Sequence, residues 1–297
     1  MEKIILADYD AVNDNYEDIL AGKKKGVINL PVPVANILDY AGEKSPWCRI
    51  SGLSHEELDR VIHYAAWVVT DPGGAPVEKG SVLTENDMSE AQEAYGKDSF
   101  AAMTGAEAVY ELVRNIDFKR LFEESRVKER EIMAQLEELY DKVESGDEEP
   151  VSAEDGREDK QVEDEVERLH AELGELRAYI DSILYIRNHK EGFLIREIRV
   201  LPLEIRALAN RYADSSPYSV YQDLENLYSA IAGRAHRVKK LGEMEAPDII
   251  MRNEKRMLQE YVDSLIANGM RGKPVTKGDG TPLCCLTDIL LCETRLF

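Results

Sequence analysis

Cysteine is scarce, with four in 297 residues. So few cannot staple a chain of this size, which excludes a disulfide framework and points to a reducing, cytoplasmic setting. No apolar run approaches the ~20 residues that a membrane span requires. The opening Met1-Glu-Lys-Ile-Ile-Leu-Ala-Asp8 has no stretch long enough for a signal peptide. No Cys-x-x-Cys pair occurs, so Cys48, Cys284, Cys285 and Cys292 lack the paired spacing of a structural zinc site. A glycine-rich phosphate loop, a Ser-His-Asp set and a nucleophile elbow are absent too. The residues therefore call for no metal or other cofactor. Asp8 and Asp10 read as surface carboxylates.

Positive charge is also short, at 37 basic against 58 acidic residues, a net of −21. The deficit is local. Between Leu121 and Glu175 there are 21 acids and 7 bases, so two-thirds of the imbalance sits in 55 residues. Later the sign reverses. From Arg234 to Arg256 the bases are Arg234, Arg237, Lys239, Lys240, Arg252, Lys255 and Arg256, against four acids. A cluster of this size is most often a solvated helix face.

What is present is helical patterning. Hydrophobic residues make up 43% and charged ones 32%, which excludes full disorder and suits a helix-rich core. Val27 to Tyr40 reads as extended chain entering a short helix, with Pro31 and Pro33 forbidding a central strand. Ser54-His-Glu-Glu57 is a capping box opening a helix towards Tyr64. Ala65 to Thr70 is β-prone and stops at Asp71-Pro-Gly-Gly74. Asn86 to Tyr95 and Gly105 to Asn115 read as helices.

Two long hairpins follow. Phe118 to Val143 carries an apolar stripe of Phe122, Val127, Ile132, Leu136, Leu139 and Val143. Residues 144–160, with eight acids, Gly146, Pro150 and Gly156, read as a disordered linker. Val162 to Arg187 then resumes the helix and folds back. After a strand over Gly192 to Leu203 and a turn at Pro202, Leu224, Leu227, Ile231, Ala235, Val238 and Leu241 step by three and four. A break at Gly242 to Pro247 leads to a second arm with Ile250, Met257, Leu258, Tyr261, Val262, Leu265 and Ile266, stopped at Asn268-Gly269. Each arm is about 20 residues, hence roughly 30 Å long. The fold class is mostly α with small β elements and two antiparallel helical hairpins.

The segment Glu245-Ala-Pro-Asp-Ile-Ile-Met-Arg-Asn-Glu-Lys-Arg-Met-Leu-Gln-Glu-Tyr-Val-Asp-Ser-Leu-Ile-Ala-Asn-Gly269 closely resembles the clamp-helix region of the bacterial DNA-directed RNA polymerase beta-prime subunit. Leu58 to Gly73, Gly105-Ala-Glu-Ala108 and Arg199-Val-Leu-Pro-Leu-Glu-Ile-Arg206 resemble the same subunit in the same order. The resemblance covers roughly Val27 to Asp288. It divides the chain into an unmatched lead-in (1–26), part of a clamp core (27–117) and a helical hairpin with the acidic insert (118–190). A strand and lid-like segment (191–217), the clamp-helix hairpin (218–269) and a rudder-like, divergent tail (270–297) complete it.

The resemblance implies a transcription protein whose hairpin docks a sigma factor beside a DNA channel. Arg234, Arg237, Arg252, Asn253 and Glu254 coincide with family residues at the sigma contact, where guanidinium–carboxylate pairing sets specificity. Lys240, Arg271 and Lys273 are expected near nucleic acid. Tyr261 stands where the family has a small residue, and Ser229-Ala230 replaces two arginines. Ser215-Ser-Pro-Tyr218 replaces a glycine-rich lid. A zinc ribbon ahead of Val27 and the family's Asn-Ala-Asp-Phe-Asp-Gly-Asp magnesium loop are missing, so the expectation is no polymerase activity from this chain alone. Three settings fit: a sigma-docking module, the N-terminal part of a split subunit completed by another chain, and a free-standing sigma decoy or degenerate copy. Other polymerase subunits and DNA are the further partners implied, and no membrane. His63 reads as a satisfied buried histidine, His55 and His236 as surface residues.

Overall fold

A computed structural model describes residues 26–144, 155–201 and 219–294. The lead-in, most of the acidic insert, the Pro202 turn, the lid-like Ser215–Tyr218 and the last three residues lie outside them. The described chain forms two compact bodies. One takes in the residues up to Arg114 and from Glu191 onward; the other is Asn115–Lys190.

The larger body starts with β1 (Val27–Ala35), which pairs antiparallel with β5 (Leu194–Arg199). Pairing runs Val27↔Arg199 to Asn29↔Glu197, breaks, and resumes at Val34↔Ile195. Pro31 and Pro33 fall in the break, because a residue without an N–H cannot continue the ladder. Short helices α1 (Ile37–Tyr40), α2 (Pro46–Ser51) and α3 (His55–Ile62) follow. α3 opens with the expected capping box: Glu57 N–H donates to the Ser54 hydroxyl, and Ser54 N–H donates to the Glu57 carboxylate at 2.9 Å.

A three-stranded sheet places β2 (Trp67–Asp71) between β3 (Val82–Leu83) and β4 (Ala101–Met103). Helices α4 (Glu85–Tyr95) and α5 (Ala106–Arg114) flank it in sequence. The chain enters β2 through Tyr64 at φ 60°, and the Tyr64 ring lies over Gly105 at φ +89°. A Cβ on Gly105 would come within 2.6 Å of that ring, so the glycine is required by space as well as by backbone angle.

The second body holds α6 (Phe118–Glu144) and most of α7 (Asp155–Phe193). They run antiparallel: Tyr140 meets His170, and Glu129 meets Arg177. Their seam is Ile132, Leu136, Leu169 and Leu173, with Leu139, Val166 and Leu176 packed alongside. Two expectations change here. Residues 155–160 form the first turns of α7 and are not linker. Val127, placed in the apolar stripe by its sequence, is exposed, because it stands nearly half a turn off the Ile132–Leu136 line.

The second hairpin belongs to the larger body. α8 (Ser219–Glu243) and α9 (Asp248–Ala267) pack along Leu224, Leu227, Ile231, Ala235 and Val238 on one arm and Leu258, Val262 and Leu265 on the other. Ile28, Val34, Ile198 and Val200 of the β1–β5 ribbon join the same core, as does Leu283. A final helix α10 covers Leu286–Thr294. No helix among the described residues is long and apolar enough to cross a membrane.

Candidate docking hairpin

The hairpin is closed by a four-residue turn whose backbone seals it. Met244 N–H donates to Lys240 O, and Ala246 N–H donates to Leu241 O, with Glu245 at φ 51°. The turn leaves Met244 66% exposed, Ile249 64% and Ile250 46%. Ile250 was expected in the seam. It instead joins an apolar tip, since the arms end before its turn of helix finds a partner.

One carboxylate organises the flank below the tip. Glu254 is buried between the arms, and its two oxygens meet Arg234 Nη1 at 2.9 Å and Arg237 Nε at 3.2 Å. Arg234 also lies over the Tyr261 ring, 5.8 Å from the centroid. The Arg237 side chain is 63% exposed, so Glu254 holds a cation at the surface while itself staying out of water. Tyr261 borders a groove of about 550 Å³ with Asn226, Ala230 and Lys277.

Arg252 is engaged differently. Its guanidinium donates to Asp248 and to Glu85 of α4, both at 2.8 Å, and stacks 4.6 Å over Trp67 of β2. One turn on, Lys255 stands 5.9 Å over the Tyr64 ring. Two cations of α9 thus rest on two aromatics flanking the entry to β2, and the hairpin is fastened along its side.

Arg234, Arg237, Arg252, Asn253 and Glu254 were expected, by resemblance, at the sigma contact. Three of them are engaged within the fold. Glu254 and Arg234 face the facing arm, and Arg252 faces the small sheet, because a carboxylate in the seam needs cationic partners and the Trp67 ring offers a stacking surface. Arg237 and Asn253 remain exposed, as does Lys240. Of the residues expected near nucleic acid, Lys273 is exposed, whereas Arg271 is committed to a bidentate pair with Asp59 at 2.7 and 2.8 Å. Burial alone would raise the Asp59 carboxyl; the Arg271 hydrogen bonds and nearby His63 outweigh it and hold it below the usual carboxylate range.

Three anchoring residues escaped sequence reasoning. Asn268, read only as a helix stop, donates to Val275 O and Leu283 O and accepts from Val275 N–H. Asp223 is buried and accepts from Lys277 Nζ at 2.9 Å and Cys284 N–H at 3.0 Å. Gln259 exchanges both backbone hydrogen bonds with Ala35, at 2.7 and 2.9 Å. Each looks ordinary in sequence, since the partner is far along the chain. Cys284 beside Asp223 is pushed up to about 11 by burial and the neighbouring carboxylates, so it stays a thiol near neutrality. Among the described residues no three His, Cys, Asp or Glu side chains could hold a metal ion.

The model of one protein family, RNA polymerase Rpb1, domain 1, matches residues 14–291. The chain belongs to this family. It is 35% identical over 272 residues to the DNA-directed RNA polymerase subunit beta' of Alkaliphilus oremlandii, covering 90% of this chain and 20% of that protein. The subunit beta' of Caldicellulosiruptor saccharolyticus is 36% identical over 273 residues, with the same coverage. That of Symbiobacterium thermophilum is 35% identical over 272. The chain thus spans about a fifth of the length of these relatives, and its hairpin lies within the matched region of the family.

Proposed function

We propose that the α8–α9 hairpin is a protein-docking prong that receives a sigma factor, in a module working alongside other RNA polymerase subunits. The observation that carries this is the tip. Met244, Ile249 and Ile250 are exposed at the end of a hairpin whose base and flank are fixed to the body. Exposed apolar side chains on a rigid support are a contact surface with little ordering left to do. Arg237 and Asn253 border them and supply the polar rim that sets specificity. Glu254 and Arg234 act from behind, by orienting Arg237. Lys240 and Lys273 are the surface cations available to nucleic acid in the assembled complex.

Titration of the full chain with the host's primary sigma factor by calorimetry tests this. Binding is expected in the micromolar range or tighter. Ile249→Asp should weaken it by at least about tenfold, the loss of one well-buried aliphatic contact. Arg237→Glu should weaken it and reverse the response to salt. Absence of binding at micromolar concentrations counts against sigma docking. Co-purification from the host with a beta subunit and a polypeptide bearing the catalytic aspartate loop supports a polymerase setting; recovery with sigma alone supports the decoy.

A further inference from the structure

Beneath the hairpin lies a buried polar cluster that the docking surface does not use. Asp263 of α9 is 4% exposed. Its Oδ2 accepts from the Tyr40 hydroxyl at 2.8 Å and faces His63 Nε2 at 3.0 Å. Its Oδ1 accepts from Gln259 Nε2 at 2.8 Å. The second nitrogen of His63, Nδ1, is 2.8 Å from the backbone carbonyl of Asp59 and 3.4 Å from its carboxylate. His63 itself is 3% exposed.

Both ring nitrogens therefore face acceptors. A carbonyl cannot donate, nor can an ionised carboxylate, and a neutral imidazole carries one N–H. We infer that His63 is a resident imidazolium, and that its second proton clasps the root of the hairpin, through Asp263, to helix α3. The charges facing it agree. Asp59 and Asp263 are the anions; His63 and Arg271, which pairs with Asp59, are the cations; the Tyr40 hydroxyl is the remaining titratable neighbour on Asp263. Two of each sign leave the buried cluster neutral. An Asp263 that kept the proton and donated it to His63 would satisfy the same contact, and the protonation of the two ring nitrogens distinguishes the two arrangements.

The clasp is placed to matter. It ties α9 to α1 through Tyr40 and to α3 through His63, while Gln259, one turn earlier, ties α9 to β1. When the ring gives up its second proton, one N–H···O contact becomes two facing lone pairs. The fastening is thus complete while the ring is charged and is lost as pH rises, so the seating of the hairpin root becomes proton-dependent on the alkaline side.

The test reads the ring directly. In the full chain labelled with 15N-histidine, the two-dimensional ring spectrum at pH 7 should show both His63 nitrogens protonated. Assignment comes from the signal lost in His63→Gln or, if that variant does not fold, from contacts to the Tyr40 ring, whose centroid is 6.1 Å away. A ring with one unprotonated nitrogen overturns the inference, because Asp263 then holds the proton. Amide-exchange protection in α9 around Gln259–Asp263, corrected for intrinsic rates, should fall about tenfold as pH is raised and the ring discharges, the loss of one charge-assisted hydrogen bond. Protection that holds level while the ring is seen to lose its second proton overturns the clasp.

Discussion

The two hairpins of this chain share a device and differ in what surrounds it. Glu129 in the α6–α7 hairpin is buried between Arg126 and Arg177. Glu254 in the α8–α9 hairpin is buried between Arg234 and Arg237. In each a glutamate enters an apolar seam and two arginines cover it. Among its described residues the first hairpin has a seam around Ile132, Leu136, Leu169 and Leu173 and a skin of helical charge pairs such as Arg168 with Glu165 and Glu172. Such exposed pairs contribute a few tenths of a kcal/mol each. The second shares its core with the β1–β5 ribbon and is held from outside by Trp67, Glu85, Tyr64, Ala35 and His63. The same charge motif is the chief polar organiser of one rod and a detail of the other. Rigidity comes from what a hairpin leans on more than from its own seam.

Core truncation should expose that difference most strongly. Leu227→Ala empties a fully buried site in the shared core and is expected to cost about 2–5 kcal/mol. Leu169→Ala should cost its own hairpin a similar amount. Both tryptophans, Trp47 and Trp67, lie in the larger body. Urea unfolding followed by tryptophan fluorescence should therefore shift for Leu227→Ala and stay in place for Leu169→Ala, while the helical circular dichroism changes in both. A fluorescence midpoint that moves equally for the two would mean that the bodies unfold as one.

Gly105→Ala comes next. The new methyl meets the Tyr64 ring at a backbone angle of φ +89°, and a loss of about 1–3 kcal/mol is expected from the strain. Glu254→Gln should follow, at about 1–2 kcal/mol, because it strips a buried charge from Arg234, whose side chain is 26% exposed. Glu129→Gln should cost less, since Arg126 and Arg177 are each about half exposed and water can replace the carboxylate. Thermal unfolding of the two variants side by side checks the order; equal losses would show that surroundings do not decide the worth of the motif.

Much of this was legible in the sequence, for a reason visible in the elements themselves. The Ser54–Glu57 box, the break before Pro247 and the three–four stepping from Leu224 to Val238 are short-range signals; the box and the stepping became structure where they stood, and the break opens two residues later than expected, after Glu243. Pairings across the chain were hidden. Nothing local tells that Arg252 finds Glu85, that Gln259 completes the ladder at Ala35, or that Arg271 spends its fork on Asp59. The residues named from the sequence could thus be placed on their elements, but their facing could not. A charged side chain on a helix shows no sign in sequence of whether its partner lies in solvent or in another part of the fold.

The smallest expected effect concerns pH. Asp59 is held below the ordinary carboxylate range, with burial opposing and the Arg271 pair and His63 prevailing. A carboxyl depressed on folding contributes stability that is present above its unfolded titration range and is lost as pH falls through the folded one. The pair is about 28% exposed on the Asp59 side, so after screening its contribution is of order 1 kcal/mol. Wild-type chain should lose this on acidification below the ordinary aspartate range, and Asp59→Asn should show a shallower acid limb by tryptophan fluorescence. In the α6–α7 hairpin Glu165 is likewise lowered by the Arg168 hydrogen bond, yet its side chain is 45% exposed. Glu165→Gln should leave its acid transition where it was. An acid limb that flattens for Glu165→Gln and persists for Asp59→Asn would reverse the ranking of the two bodies.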